Sequence, residues 1–466
     1  MTISLAQNIL QREILRAWFD FKPVFASGLK RTRKEKEVRM YTKGEVLDFV
    51  KEEDVKFIRL AFFDLTGRQK NISIMANELP VAFSSGIAFD ASSVRGFQGA
   101  EASDLLLHPD PSTLAVIPWR PSTGKVVRMF CDIKYPDGTP YEKDCRHILK
   151  QAVKAAQEEC GVKMRFGSEI EFYLFKLNDE GEATKIPFDK AGYLDVAPED
   201  KGENIRREIC FTLEQMGITP ESSHHEAGPG QNEIDFRCSD PLTSADDAST
   251  FKWIVRTKAE ANGLRADFSP KPFDDKPGNG MHISVMCDAC QSEDLSSKAG
   301  KSASSERKQI ISSEESAAED YSLFVAAGIM KHIEEITLFL NPTENSYRRI
   351  GEAKAPRYVA FAHENRSACV RTASANGKKR VEILSADPEC NPYLAFSALI
   401  YSAIDGIKNK LEPPQPVSEN LFKANEEITA NLKKLPDTLE AARKLAWESG
   451  FVKECLGESV IGALWD

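Results

Sequence analysis

The sequence predicts an α+β protein in two parts: a small β-rich N-terminal domain with one helix, then a larger domain in which strands and helices alternate to the C-terminus. Three observations support this. A chain of 466 residues has room for two or three domains with a large buried core. Residues from about 55 to 132 are dominated by short β-branched and aromatic runs separated by turn residues. The segment YPDGTPYEKDC, punctuated by Pro and Gly, then gives way to a long helical stretch. The expected divisions are 1–39, 40–132 and 133–466.

The elements follow in order. Thr42 is placed to cap a helix over Lys43–Glu52. The run VKFIRLAFFDLTGRQKNISIM reads as two strands joined around Thr66-Gly67, and more short strands extend to about Asp132. A helix from about Asp144 to Cys160 opens the second part. Residues 290–318 are a Ser/Lys/Glu-rich insert without apolar periodicity, which predicts a solvated loop. Residues 1–39 differ from the rest, with one amphipathic stretch, Leu5 to Phe25, followed by the basic run Lys30-Arg31-Thr32-Arg33-Lys34.

Composition narrows the function. With 41% hydrophobic and 28% charged residues the chain reads as globular. No run of eighteen apolar residues occurs, so no membrane-spanning helix is expected. Arg12 and Arg16 interrupt the N-terminal apolar stretch, unlike a secretory signal, and a cytoplasmic protein is expected. A net charge of −10 argues against a nucleic-acid partner. Ten cysteines lack a repeated spacing, and the single CxxC, Cys287 and Cys290, is weak evidence for zinc beside the plainer reading of reduced thiols.

Four segments carry closely spaced acids and histidines in apolar surroundings. In GSEIEFYLF, Glu169 and Glu171 are two apart, and on a strand such residues share a face. Two carboxylates on one face of an apolar strand repel unless a cation lies between them. HHEAGPGQNEIDF presents Glu226 and Glu233, GNGMHIS presents His282, and RVEILSADP presents Glu382. Five carboxylates and one imidazole suit two hard divalent cations, Mg²⁺ or Mn²⁺. Taken singly, each acid reads equally well as a solvated surface residue.

These four segments, in this order and spacing, resemble the metal motifs of the type I glutamine synthetase family. NPTENSYRRI, ENRSACVR, DPECNPYLAFSALIYSAIDGIKNKL and GIAFDASSVRGF resemble other segments of that family, and the similarity runs from about Met40 to the C-terminus. The resemblance implies a β-grasp-like N-terminal domain and a catalytic domain with a sheet-lined funnel. It implies a homo-oligomer, a dodecamer of two six-membered rings with active sites shared between neighbours; the charge and hydropathy described above add the expectation of no nucleic-acid and no membrane partner. It implies an ATP-dependent glutamate–ammonia ligase acting through a γ-glutamyl phosphate. By position, Glu171, Glu226 and Glu233 would hold one metal, and Glu169, His282 and Glu382 the other. Asp90 would assist with ammonium from a neighbouring subunit, with Ser93 and Tyr193 nearby. Gly278 and Arg349 would contact the substrate; Arg366, Arg371 and Arg380 would surround ATP and the transferred phosphoryl group.

Three positions depart from the family pattern. Leu384 stands where an arginine usually holds the substrate's α-carboxylate, and Pro277 where an asparagine usually helps. The flap RRIGEAKAP is one residue short, placing Lys354 where a glutamate usually closes the site, with Glu352 two residues earlier. These changes touch amino-acid recognition and the amine step. They leave open a ligase for a larger amine, or a catalytically impaired structural or regulatory paralogue. Phe422 occupies the position of a modifiable tyrosine and has no hydroxyl, so no adenylylation is expected there. Resembling chains begin near Met40, and RKEKEV is rich in purine-coded residues, as a ribosome-binding site read through in frame would be. Translation from Met40 is therefore expected, with residues 1–39 an artefact. The alternative is an amphipathic arm, since Leu5, Ile9, Leu10, Ile14, Leu15 and Phe19 fall near helical spacing.

Overall fold

The computed structural model describes residues 41–290, 320–375 and 378–465. The expectations for residues 1–39, and for the insert beyond Cys290, lie outside the described residues.

Helix α1 (Lys43–Glu52) begins at a reciprocal cap: the Thr42 hydroxyl accepts from the Glu45 amide, and the Glu45 carboxylate accepts from the Thr42 amide at 2.8 Å. Strands β1 (Val55–Phe63) and β2 (Gln69–Met75) form the predicted hairpin. Asp64 Oδ1 accepts from the amides of Thr66 and Arg68, tightening the turn. Helix α2 (Leu79–Ser85), β3 (Ile87–Asp90), β4 (Asp104–Pro109), β5 (Ala115–Val116) and β6 (Lys125–Lys134) complete this part. Its sheet runs β2-β1-β6-β4-β3 with β5 on β6; β1 and β6 are parallel and the other pairs antiparallel.

The remaining described chain carries a nine-stranded sheet and most of the helices. Helix α3 (Cys145–Cys160), capped by Asp144, ends at Gly161 in the left-handed region and leads into β7 (Val162–Leu177). Then come β8 (Ala183–Pro187), α4 (Glu203–Gln215), β9 (Pro220–His225), β10 (Gln231–Ser239), α5 (Pro241–Ala261), β11 (Leu264–Asp267) and β12 (Met281–Ala289). After the undescribed segment follow α6 (Ser322–Leu340), α7 (Glu344–Arg349), β13 (Phe361–His363), β14 (Val370–Ala375), β15 (Lys378–Ile383) and α8 (Pro392–Lys408). Four short helices close the chain: α9 (Glu426–Thr429), α10 (Leu439–Glu448), α11 (Gly450–Leu456) and α12 (Glu458–Trp465). The sheet order is β13-β14-β15-β12-β7-β10-β9, with β8 and β11 also on β7.

Strand β7 fixes the layout. Its period-two pattern puts Phe166, Ile170, Phe172 and Leu174, all buried, on one face. Phe166 packs on Phe396 of α8 at 4.6 Å between ring centroids, and Phe172 on Phe251 of α5 at 6.1 Å. The opposite face, with Glu169 and Glu171, is therefore turned away from the helices. Helices α6 and α8 cross so closely that a Cβ on Gly328 would lie 2.0 Å from the Ser402 carbonyl oxygen. A Cβ on Gly406 would lie 2.0 Å from that of Phe324. One continuous core runs from Val46 to Ile461 and includes residues of both sheets. Buried Arg146 of α3 ties them electrostatically, pairing with Asp110 and Asp132 of the N-terminal part and with Asp246 of α5. No helix among the described residues is long and apolar enough to cross a membrane.

Candidate functional site

Strand register assembles the acids that sequence spacing could only pair. Glu171 lies opposite Glu233 on β10, and Glu169 opposite Asp235. On the far side of β10, His224 of β9 lies opposite Glu233; on the other side of β7, His282 of β12 lies opposite Glu169. Two adjacent rows result, His282–Glu169–Asp235 and Glu171–Glu233–His224. Glu226 joins from the turn after β9, where its amide donates to the Gln231 carbonyl oxygen and its carboxylate accepts from the Ala227 amide.

Ligand atoms of Glu171, Glu226 and Glu233 lie within 4.8 Å of one another, as do those of His224, Glu233 and Asp235. Glu171 is further held by the Gly280 amide at 2.6 Å and the Gln231 side chain at 3.2 Å. Burial and the charges of Glu171, Asp235, Glu226 and Glu169 push the Glu233 carboxyl up to about 11. Burial likewise raises Glu171 and Asp235. Glu169 behaves oppositely: burial works against its charge, but the His282 hydrogen bond and the charges of His282, Arg380 and Arg366 hold it at about 2. Burial works against the His282 charge too, and Glu169 overcomes it and raises His282. The first row thus has an imidazole to balance its carboxylate, while the second crowds carboxyls whose ionisation a divalent cation would favour. An all-oxygen trio of carboxylates suits a hard ion, Mg²⁺ or Mn²⁺.

The rows floor a cavity of about 430 Å³. Of the residues singled out from sequence, Glu169, Glu171, Tyr193, Glu226, Glu233, Gly278, His282, Arg349, Glu352, Lys354 and Arg366 line it, with Pro277 and Leu384. Gly278 is a close approach: a Cβ there would lie 2.3 Å from the Pro270 carbonyl oxygen. The Pro277 carbonyl is taken by the Tyr173 hydroxyl at 2.7 Å. Arg349, at the end of α7, donates to the Ser385 carbonyl at 2.9 Å, and burial lowers its pKa. In the turn beyond, Glu352 and Lys354 both face this cavity, and the Lys354 Nζ stands 5.0 Å from the centre of the exposed Tyr193 ring.

Five of the singled-out residues lie elsewhere. Asp90 and Ser93 are exposed at the end of β3, where Asp90 accepts from the Ser92 amide and hydroxyl. Glu382 is buried between two arginines, with Arg371 Nε 2.6 Å from one carboxylate oxygen and Arg380 Nε 2.5 Å from the other. To bind a cation, Glu382 has to release one of them. Sequence reasoning missed His224, Gln231 and Asp235, which also line the cavity, and named Phe422 only for its lack of a modifiable hydroxyl, whereas it lines the cavity too. Asp235 stands two residues after Glu233, the same alternation that paired Glu169 with Glu171. His224 and Phe422 carry no local signal; only the strand pairing and the chain's return bring them in. Cys287 and Cys290 belong to none of the groups of three or more candidate ligands that gather within 4.8 Å among the described residues.

Comparison with known proteins matches this geometry to a family. A family model described as the glutamine synthetase catalytic domain matches residues 142–465, and one described as the glutamine synthetase β-grasp domain matches residues 54–136. A glutamine synthetase of Clostridium saccharobutylicum is 41% identical over 426 residues, covering 91% of this chain and 93% of that protein. One of Methanosarcina mazei is 41% identical over 423 residues, covering 90% and 91%. A solved structure described as "GmaS/ADP complex-Conformation 1" is similar with a TM-score of 0.76 at 26% identity, covering 90% of this chain and 93% of that one. The β-grasp domain and the catalytic domain with its sheet-borne acidic cavity are those of one family, and the chain belongs to it: the glutamine synthetase family.

Proposed function

We propose that this chain is an ATP-dependent ligase that forms glutamine from glutamate and ammonia through a γ-glutamyl phosphate. The observation that carries the reading is the meeting of Glu169, Glu171, Glu226, Glu233 and His282 with Arg349 and Arg366 around one cavity. Glu171, Glu226 and Glu233 would hold one Mg²⁺ or Mn²⁺, and Glu169 and His282 a second, joined by Glu382 if an arginine gives way. When bound, such ions neutralise and orient a transferring phosphoryl group. Arg366 supplies further positive charge to that group, and Arg349 holds a carboxylate of the acid. Arg371 and Arg380 would turn from Glu382 to phosphate. Glu352 is the cavity carboxylate placed to take a proton from the amine, since the Lys354 ammonium cannot act as a base while protonated. The solved structure described as an ADP complex supports a nucleotide as one of this chain's ligands. Asp90 and Ser93 would serve the cavity of a neighbouring subunit, which fits their exposure and their distance from their own; a dodecamer with shared sites is part of the proposal.

A second reading, a ligase for a larger amine, is favoured by one observation. Leu384 brings a buried apolar side chain to the cavity wall, while Lys354 sits over Tyr193 rather than leaving that ring free. Phosphate release from ATP with Mg²⁺ and glutamate, measured with ammonium, methylamine and a polyamine, tests both. Release driven by ammonium supports the first reading. Release only with an organic amine replaces it with the second, and none with any amine sinks both.

A further inference from the structure

Behind the cavity floor, and outside the residues discussed so far, lies a buried cluster of Asp189, Asp200, Arg206 and His225. Asp189 precedes the Tyr193 loop, and His225 is the last residue of β9. All four side chains are at most 5% exposed. The His225 ring spans two acceptors: Nδ1 lies 2.6 Å from the carbonyl oxygen of Glu226, and Nε2 lies 2.9 Å from Asp189 Oδ1. The same Asp189 oxygen accepts from the Gly230 amide at 2.8 Å, and the other from the Lys201 amide at 3.1 Å. Asp189 therefore grips the 226–231 turn at both ends. Through His225 it fixes the peptide of Glu226. Through Gly230 it fixes the approach to Gln231, whose side chain reaches Glu171 and whose carbonyl receives the Glu226 amide.

Ligand atoms of Asp189, Asp200 and His225 lie within 4.8 Å of one another, which by itself would suit a cation. Their partners argue otherwise. Asp200 is bound by Arg206 at 2.5 Å and by the Gly202 amide at 2.8 Å, while Asp189 is taken by two amides and a ring nitrogen. The charges already present compensate one another, and the cluster faces backbone rather than open space.

We infer that Asp189 is a positioning residue for the metal site: acting through His225 and Gly230, it holds the turn that aims Glu226 at Glu171 and Glu233. The inference rests on the reading of those three glutamates as metal ligands. Partners that orient metal ligands commonly change affinity about 10- to 100-fold when altered. Asp200 provides the control: it is equally buried in the same cluster, but its own partners are Arg206 and the Gly202 amide, and it reaches the turn only at two removes, through Arg206 to Asn232 and Asn232 to the Gly230 carbonyl.

The test is Mn²⁺ binding to the full-length protein, followed by electron paramagnetic resonance without nucleotide or amino acid, together with thermal unfolding. Wild type, Asp189→Asn and Asp200→Asn are compared. Asp189→Asn is expected to weaken the tighter Mn²⁺ site about 10-fold or more, and Asp200→Asn to change it less than about 2-fold even where it lowers the melting temperature. Equal Mn²⁺ affinity in wild type and Asp189→Asn overturns the inference, as does an equal loss in both variants. Absence of Mn²⁺ binding to wild type overturns instead the metal reading beneath it. Should Asp189→Asn fail to fold, His225→Gln is titrated in its place. It keeps an amide donor for the Glu226 carbonyl but breaks the link to Asp189, and unchanged affinity in it counts against the inference.

Discussion

Single charged residues in and around the cavity divide into those whose charge awaits a partner and those already paired. Glu233 is the clearest of the first kind. Its carboxyl is raised from 4.5 to about 11, so between those values it is protonated in the folded metal-free protein and ionised when unfolded. Folding then takes up a proton, and stability falls as pH rises across that window, by at most about 1.4 kcal/mol per pH unit from this group. His282, raised from 6.5, acts in the same direction, and Glu169, held at about 2, is ionised throughout the neutral range. Melting of chelator-treated protein is thus expected to drop from pH 6 to 8.5, and the increment gained on adding Mn²⁺ to grow. A constant increment would mean that the ion displaces no proton from Glu233. Glu171→Ala should lower ligase activity by more than about 100-fold, as loss of a metal's charge partner does, with sedimentation unchanged from wild type. Phosphate release and sedimentation check this together. Glu382 is of the second kind: Glu382→Ala leaves Arg371 and Arg380 facing each other, and should destabilise even the metal-free protein by about 3–5 kcal/mol. Denaturant titration with chelator present measures it.

At the scale of elements, much was legible and the reason is periodicity. The Lys43–Glu52 helix, the hairpin turning at Thr66-Gly67, the helix ending at Cys160 and the shared face of Glu169 and Glu171 all follow from local rules of capping, turn chemistry and alternation. Asp235 obeys the same alternation and was within reach. The pairing of His224 with Glu233, the return of Phe422 to the cavity and the capture of Glu382 by arginines depend on register and long-range closure, which no window of sequence contains. The α6–α8 crossing is another such feature. Gly328→Ala forces a methyl into the Ser402 carbonyl, and overpacking of this kind should destabilise by about 1–3 kcal/mol. Gly138→Ala, where a Cβ meets nothing within 4 Å although its φ is +88°, gives the comparison for backbone strain without packing. No loss in Gly328→Ala would mean that the helices can move apart.

At the scale of the molecule, Asp90 raises the question of who completes the site. It is exposed on the N-terminal sheet and absent from the cavity of its own chain. If neighbouring subunits share sites, Asp90→Ala and Glu171→Ala, each inactive alone, should regain part of the activity when co-expressed, because some hybrid sites take both intact residues from different chains. Mixed oligomers purified through two affinity tags measure this, and no recovery above either parent would place each site within one chain.

The ligand rows also set a rule of parity. Glu169 and Glu171 on β7, and Glu233 and Asp235 on β10, face the cavity because each pair stands two positions apart, and His282 of β12 faces it by lying in register with Glu169. One residue added or lost within any of these strands turns its carboxylates or imidazole toward the helices, whereas two preserve the facing and merely slide it. Length can therefore vary freely only where the count stops mattering, beyond the strand ends, and the chain leaves β12 at Ala289 directly into its Ser-rich stretch. Within β12, one-residue inserts should be dead and two-residue inserts partly active, a difference that ends at that residue.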